Sequence, residues 1–289
     1  MLYDSLVSPF LEFAFMRRAL VGALALALGA GPVGVFLMLR RMSLMGDAMA
    51  HAILPGAAVG FLVSGLSLFA MTVGGLVAGL VVAVLAGLVA RLTELKEDAS
   101  LAAFFLISLA LGVTIVSLRG TNIDLLYFLF GGVLGLDDQT LVLIAAITSL
   151  SLVVLALIWR PLVLECVDPG FLRSVSRAGA PAHIAFLTLV VLNLVGGFHA
   201  LGTLLAVGLM MVPAAVARFW ARDITTMILI AVGGGMVSGI AGLLLSFHTG
   251  VPAGPAIILV AGALYAVSVI FGRVGGLARQ VLPRRHLEA

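Results

Sequence analysis

Long apolar segments, separated by short polar ones, extend along almost the whole chain. Between Leu76 and Ala90 every face of a helix would be apolar, which indicates a helix surrounded by lipid or by other helices. A helix of roughly 20 residues crosses a ~30 Å hydrocarbon core. The sequence therefore predicts about nine membrane spans, with eight or ten as alternatives, near residues 19–39, 47–66, 68–90, 99–118, 139–159, 182–198, 201–217, 224–246 and 253–272.

Two regions fit this pattern less well. The predicted sixth and seventh spans are short and are separated only by a corner at residues 198–200. The apolar stretch at 125–136 has 12 residues, which is too few to cross the membrane. We expect this stretch to be re-entrant or to lie in the membrane interface.

Composition supports the same fold class. Hydrophobic residues make up 63% of the 289 residues and charged residues 10%, whereas soluble domains contain about 25% charged residues. The uniformly apolar stretches exclude the period-two alternation of a transmembrane barrel. The prediction is an all-α polytopic membrane protein with a single transmembrane domain at 19–272. Residues 1–18 are expected to be extracytoplasmic or interfacial, and residues 273–289 a basic cytoplasmic tail that could end in a cloning remnant.

The distribution of lysine and arginine predicts the orientation. With the C-terminus in the cytoplasm, thirteen of the sixteen basic residues lie inside, and Arg17, Arg18 and Arg119 lie outside. Basic residues concentrate in the cytoplasmic loops of membrane proteins, which favours this orientation. The net charge of +3 therefore reflects topology, and no nucleic-acid partner is predicted.

An acid and a histidine, Asp47 and His51, lie inside the second predicted span. Counted from Arg41, they would be ~9 Å and ~15 Å into the membrane, where ionisable groups are rare and usually functional. Their i,i+4 spacing places both on one helix face, so that a carboxylate oxygen and an imidazole nitrogen can bind one metal ion. Pro55 cannot donate to the carbonyl of His51, which predicts a kink beside the pair.

A structural role is the alternative for this pair. Asp47 would then cap the second span after Gly46, and His51 would hydrogen-bond to a neighbouring helix. Two residues are too few to specify a metal, so the geometry alone leaves both interpretations open.

Several separated motifs occur in a distinctive order along the chain. Around the start of the second span these are Arg40-Arg41-Met42-Ser43-Leu44, Gly46-Asp47-Ala48, His51 and Leu54-Pro55-Gly56. Later in the chain they are Glu97-Asp98, Leu129-Phe130-Gly131, Leu134-Gly135, Asp168-Pro169, Gly202-Thr203-Leu204-Leu205, Val212-Pro213-Ala214-Ala215, Gly242-Leu243, Leu245-Ser246 and Pro252-Ala253-Gly254. Over residues 13–272 the chain resembles the zinc/manganese/iron permeases of ABC importers. Ala50 stands where that family commonly has serine.

This resemblance implies a type II ABC importer permease fold in the bacterial inner membrane. It implies that Asp47 and His51 bind a divalent metal ion in transit, with alternating access driven by ATP. It also implies three kinds of protein partner, namely a second copy of the permease, cytoplasmic ATP-binding subunits and an extracytoplasmic metal-binding protein.

The nucleotide site is expected in a separate chain. The only lysine, Lys96, is not preceded by the glycines of the phosphate-binding loop G-x-x-x-x-G-K-[ST]. We therefore expect a transport subunit that is not an enzyme and that has no permanently bound cofactor.

The predicted inner loop between the fifth and sixth spans carries a candidate contact with the ATPase. Phe171, Leu172 and Val175 recur at helical spacing. The resemblance favours a short coupling helix here, with the candidate residues Asp168, Pro169, Phe171, Arg173 and Arg177. An amphipathic helix on the membrane surface is the alternative.

Three further residues, Asn193, Pro55 and Pro213, are candidates to line the transport path. Asn193 is a polar residue within the sixth predicted span. An interhelical hydrogen bond is its alternative role.

One carboxylate and one imidazole suit zinc, manganese or iron(II), while the lack of a thiolate pair counts against copper(I). Zinc or manganese is the expected cargo. A vitamin or siderophore permease is an alternative, although organic cargo does not require this ligand pair. An ion-coupled secondary carrier is another, although it would usually show an internal repeat. A membrane enzyme or scaffold has no supporting motif.

Overall fold

The computed structural model describes residues 7–65, 67–95, 97–118, 135–168, 171–172, 174, 176 and 178–278. Within these ranges the chain forms twelve α-helices and no strand. They are α1 (Ser8–Glu12), α2 (Ala14–Leu39), α3 (Ser43–Ala52), α4 (Leu54–Ser64), α5 (Leu68–Leu92), α6 (Glu97–Leu118), α7 (Asp138–Leu157), α8 (Trp159–Val167), α9 (Gly179–Leu201), α10 (Thr203–Arg218), α11 (Ile224–Thr249) and α12 (Ala253–Phe271). The predicted all-α class is confirmed for this part of the chain.

Seven helical segments in the described ranges are long and apolar enough to cross a membrane. One of them, Leu44–Ser64, combines α3 and α4. Two further apolar segments are shorter, namely Ala99–Ile115 in α6 and Thr203–Arg218 in α10. These two coincide with the predicted fourth and seventh spans. Each predicted span therefore contains a helix, but the number nine is not confirmed.

Helix α2 lies at the centre of the bundle. It packs against α7, α9, α10 and α11, and every residue from 29 to 37 is buried. Helix α9 is similarly buried from 189 to 198. The outer helices instead keep apolar side chains exposed, such as Phe69 of α5 and Leu259 of α12, as expected of surfaces covered by lipid.

The N-terminal end of α2 is held by contacts of two arginines. The helix begins at Ala14 rather than near residue 19. Arg17 donates to the carbonyl of Leu11, and Arg18 Nε lies 2.9 Å from Asp138 Oδ1 at the start of α7. Two of the three arginines predicted outside thus have local partners at that end of the bundle.

The connection between α9 and α10 differs from the prediction. Helix α9 continues through the expected corner at 198–200 and ends at Leu201. The turn is made by Gly202, whose φ of +85° is readily adopted by glycine. The predicted re-entrant stretch at 125–136 lies outside the described residues except at its last two positions.

Helices α4 and α5 form a tight hairpin through facing glycines. A Cβ atom on Gly56 would overlap the carbonyl of Gly74, and one on Gly74 would overlap the carbonyl of Gly56. Small residues permit such close backbone approach in membrane helices. This contact fixes α4, and with it the end of α3, against the rest of the bundle.

Candidate metal site

Asp47 lies within helix α3, which begins at Ser43. The N-cap residue is Met42, which makes no side-chain capping hydrogen bond. Asp47 is therefore not the helix cap that the structural alternative required. One turn further along α3, His51 Nε2 lies 3.9 Å from Asp47 Oδ1.

This separation is compatible with a shared ion. Metal–nitrogen and metal–oxygen bonds are about 2.1 Å long, so two atoms 3.9 Å apart can both bind an ion centred between them. The Asp47 side chain is 69% exposed and the His51 side chain 25%. An ion can therefore approach the pair from the side of the carboxylate.

The surroundings of His51 hold its ring in place. The imidazole stacks on Phe105 of α6, with ring centroids 6.1 Å apart and an interplanar angle of 30°. Its Nδ1 is buried and has no hydrogen-bond partner among the described groups. Buried polar nitrogens usually have such a partner. The bond to a neighbouring helix that a purely structural histidine would make is thus not present in the described part of the chain.

A cavity of about 330 Å³ opens beside Asp47 and His51. Its other lining residues come from the first turns of α10 and from α12, and they are Thr203, Leu204, Val207, Gly208 and Ile258. The carboxylate and the imidazole are the two ionisable groups of this largely apolar lining. Apolar walls with a few convergent polar groups are typical of a site for a small ligand. These lining residues were not predicted as site residues from the sequence, although Thr203 and Leu204 belong to the motif Gly202-Thr203-Leu204-Leu205.

The described residues of one chain supply only part of a metal site. Among the described residues, no group of three or more His, Cys, Asp or Glu side chains could hold an ion. Manganese and other hard divalent ions favour octahedral coordination. Further ligands would be water, hydroxyl or backbone oxygens, side chains of this chain that lie outside the described residues, or groups from another chain.

The other candidate path residues do not line this cavity. Asn193 of α9 is buried and donates Nδ2 to Ser151 Oγ of α7 at 2.8 Å, the interhelical hydrogen bond named as its alternative. Pro213 is buried within α10. Pro55 is in the first turn of α4, just after the break at Ile53 between α3 and α4. Their role in a transport path stays a prediction.

The candidate coupling segment follows α8. Asp168 ends this helix, and its Oδ1 accepts the backbone N–H of Phe171 at 2.9 Å. Phe171 is exposed, whereas Leu172 is buried. Ser174 Oγ donates to the carbonyl of Phe171 at 2.8 Å. The other predicted members, Pro169, Arg173 and Arg177, lie outside the described residues.

A buried charged cluster joins the C-terminal end of α2 to α8 and α9. Arg40 Nη2 lies 2.9 Å from Glu165 Oε1 and 2.6 Å from His183 Nδ1. The sequence analysis did not predict this cluster. Its members are far apart in the chain, with 143 positions between Arg40 and His183, so no local spacing indicates that they meet.

The seven long apolar helical segments of the described residues define a polytopic membrane protein. The chain belongs to the ABC 3 transport family, whose sequence model matches residues 12–272. The family resemblance carried by the motifs is thereby confirmed.

Relatives and a solved structure agree with this membership. The chain is 32% identical to the manganese import system permease protein ScaB of Streptococcus parasanguinis, over 89% of this chain and 90% of the relative. It is 28% identical to the chelated iron transport system membrane protein YfeD of Yersinia pestis, over 95% of this chain and 91% of the relative. PsaBC from Streptococcus pneumoniae in complex with Fab is similar in structure, with a TM-score of 0.85 and 27% identity, over 97% of this chain and 99% of that one. The predicted class, a membrane subunit of a metal-ion ABC importer, is confirmed.

Proposed function

We propose that this chain is the permease through which a manganese or iron(II) ion enters the cytoplasm, and that Asp47 and His51 bind the ion in transit. The observation that carries this proposal is the placement of both side chains on one face of α3, beside a cavity. A carboxylate oxygen and an imidazole nitrogen suit both metals, and relatives are named for manganese and for iron. Zinc suits the same donors but is not the metal in those names.

In this proposal the ion exchanges part of its water shell for the two side chains. A carboxylate within a membrane is unfavourable unless it is paired, and a divalent cation pairs with it. His51 must be neutral to bind, so protons compete with the metal. Alternating access then consists of opening the cavity beside Asp47 first to one side of the membrane and then to the other.

A second copy of the permease completes the site. The described part of one chain offers two ionisable ligands, and the exposed carboxylate of Asp47 leaves room for a matching pair from a two-fold-related copy. Native mass spectrometry of the assembled importer should find two permease chains. A single permease chain per complex would contradict this step.

ATP hydrolysis comes from separate cytoplasmic subunits, and an extracytoplasmic binding protein delivers the metal. The exposed Phe171, beside the buried Leu172, supports a docking role for the segment that begins at Asp168. This segment and the C-terminus are on the cytoplasmic side of a bacterial inner membrane in our proposal. Because ATP hydrolysis belongs to the separate subunits in this proposal, purified permease without the ATPase should hydrolyse no ATP.

Metal uptake into proteoliposomes tests the proposed function. The vesicles contain the permease, its ATPase and its binding protein, and the readout is ATP-dependent Mn²⁺ entry. Asp47→Asn keeps the shape of the side chain but removes its charge, and His51→Gln removes the imidazole. Each variant should assemble with the ATPase and import little or no Mn²⁺.

Matched controls replace a carboxylate and an imidazole elsewhere. Asp223 Oδ2 accepts the backbone N–H of Thr226 at 2.8 Å as the cap of α11, a bond that asparagine can also accept. Asp223→Asn should therefore keep uptake, as should His248→Ala at the exposed end of the same helix. Parental uptake by assembled Asp47→Asn and His51→Gln complexes would show that the pair is structural.

A further inference from the structure

Arg40 is buried between two partners from different helices. Its Nη2 lies 2.9 Å from Glu165 Oε1 of α8 and 2.6 Å from His183 Nδ1 of α9. The guanidinium carbon lies 5.2 Å from the ring centroid of Phe186, also in α9. The Arg40 and Glu165 side chains are only 9% and 17% exposed. Because salt screens buried charges little, the attraction between Arg40 and Glu165 persists at physiological ionic strength.

The hydrogen-bonding roles in the cluster follow from its chemistry. A guanidinium has donors only, so His183 Nδ1 accepts the bond from Arg40. An imidazolium has no acceptor, so the ring of His183 is neutral in this arrangement. Within the described contacts, the positive charge of Arg40 thus faces the negative charge of Glu165.

Arg40 lies at the junction between α2 and α3. Arg40 directly follows α2, and Arg41 follows with a φ of +59°, a left-handed conformation that is strained for a residue other than glycine. Helix α3, which carries Asp47, begins two residues later. Strained junctions persist when their surroundings fix them, and the contacts of Arg40 fix this one.

The other partner lies beside the candidate coupling segment. Glu165 is in the last turn of α8, which ends where Asp168 begins that segment. A displacement of the segment therefore reaches Glu165 through a continuous helical turn and reaches Arg40 through the Arg40–Glu165 ion pair. From Arg40 it passes to the junction before α3.

We propose that the Arg40–Glu165 ion pair is a positioning link that couples movement of the segment beginning at Asp168 to the helix presenting Asp47 and His51. This inference rests on the proposed function, because it concerns how ATP hydrolysis moves the metal site. Without the link, the ATPase still hydrolyses ATP, but less of the movement reaches α3. The signature is a fall in metal imported per ATP hydrolysed.

The test measures Mn²⁺ uptake and ATP hydrolysis together in proteoliposomes containing the full importer. The variants are Arg40→Gln, Glu165→Gln and the double substitution, which removes both charges of the pair. Each should lower the Mn²⁺ imported per ATP about fivefold or more while ATP hydrolysis continues, in line with the usual size of coupling effects. Arg18→Gln is the matched control, since it breaks the exposed Arg18–Asp138 pair of equal length, 2.9 Å, at the other end of α2.

The outcomes separate the link from the proposed function. No Mn²⁺ import by the parental importer would refute the proposed function itself. An unchanged Mn²⁺-to-ATP ratio in the three assembled variants would overturn the link while leaving the proposed function intact. Failure of all three to assemble, the charge-neutral double variant included, would also overturn it, because the cluster would then serve folding alone.

Discussion

His51 Nε2 lies 3.9 Å from Asp47 Oδ1, one helical turn apart on α3 and beside a cavity between this helix and α10 and α12. The ring is held by Phe105, while the carboxylate is open. One ligand is therefore fixed and the other is free to follow an ion. This division suits a transit site, which must bind a metal and then release it.

The segment after α8 should contact the ATPase. Ser174 is exposed there, so Ser174→Cys should form a crosslink to a cysteine on the docked ATPase. Leu172→Cys is the matched control, because position 172 is buried and should crosslink poorly. Burial raises the pKa of the native Cys166 thiol. The substitution Cys166→Ala removes any background crosslinking by this thiol. Equal labelling of Ser174→Cys by a lipid-phase reagent with and without the ATPase would favour a surface helix.

The hairpin of α4 and α5 should tolerate no side chain at its glycine contact. Gly74→Ala would place a methyl group against the carbonyl of Gly56, and overpacking of this kind costs about 1–3 kcal/mol. Gly87→Ala, on the same helix, meets nothing within 4 Å and is the control. Thermal unfolding in detergent should show a lower midpoint for Gly74→Ala alone. Equal unfolding midpoints for the two variants would mean that close contact between α4 and α5 does not contribute to stability.

The start of α7 depends on an acidic cap. Asp137 accepts from the side chain and the backbone N–H of Thr140, and these bonds hold the pKa of the Asp137 carboxyl below its ordinary 3.8. The charged cap therefore stabilises the fold above that pH, and this contribution is lost as the pH falls through the lower folded-state pKa. Asp137→Ala should lower stability by about 1 kcal/mol at neutral pH, whereas Asp137→Asn should retain most of it. Equal losses for both variants in thermal unfolding would exclude a capping role.

Local patterns predicted the elements and the site pair because both depend on short-range geometry. The spacing of Asp47 and His51 alone places them on one helix face. The break at Ile53 lies two residues before Pro55, where the missing N–H was expected to disturb the helix. The turn at Gly202 was misplaced by a few residues, because residues 198–201 can continue a helix and only the glycine readily takes a positive φ.

Contacts between distant segments could not be predicted in the same way. Arg40, Glu165 and His183 come from three helices, and their meeting depends on how those helices pack. The cavity walls likewise come from α10 and α12, far from α3 in the chain. The number of spans could not be predicted from the sequence either, since the apolar stretches of α6 and α10 are slightly shorter than a helix that crosses the membrane.

The most direct test of the transit site is the nitrogen coupling of bound Mn²⁺, measured by pulsed electron paramagnetic resonance on the metal-loaded importer. If His51 binds the ion, the spectrum should contain ¹⁴N modulation from its imidazole. That modulation should vanish in His51→Ala and persist in His248→Ala, while Asp47→Asn should weaken Mn²⁺ binding. Bound Mn²⁺ with the same ¹⁴N modulation in His51→Ala as in the parental importer would contradict the assignment of Asp47 and His51 as the transit site.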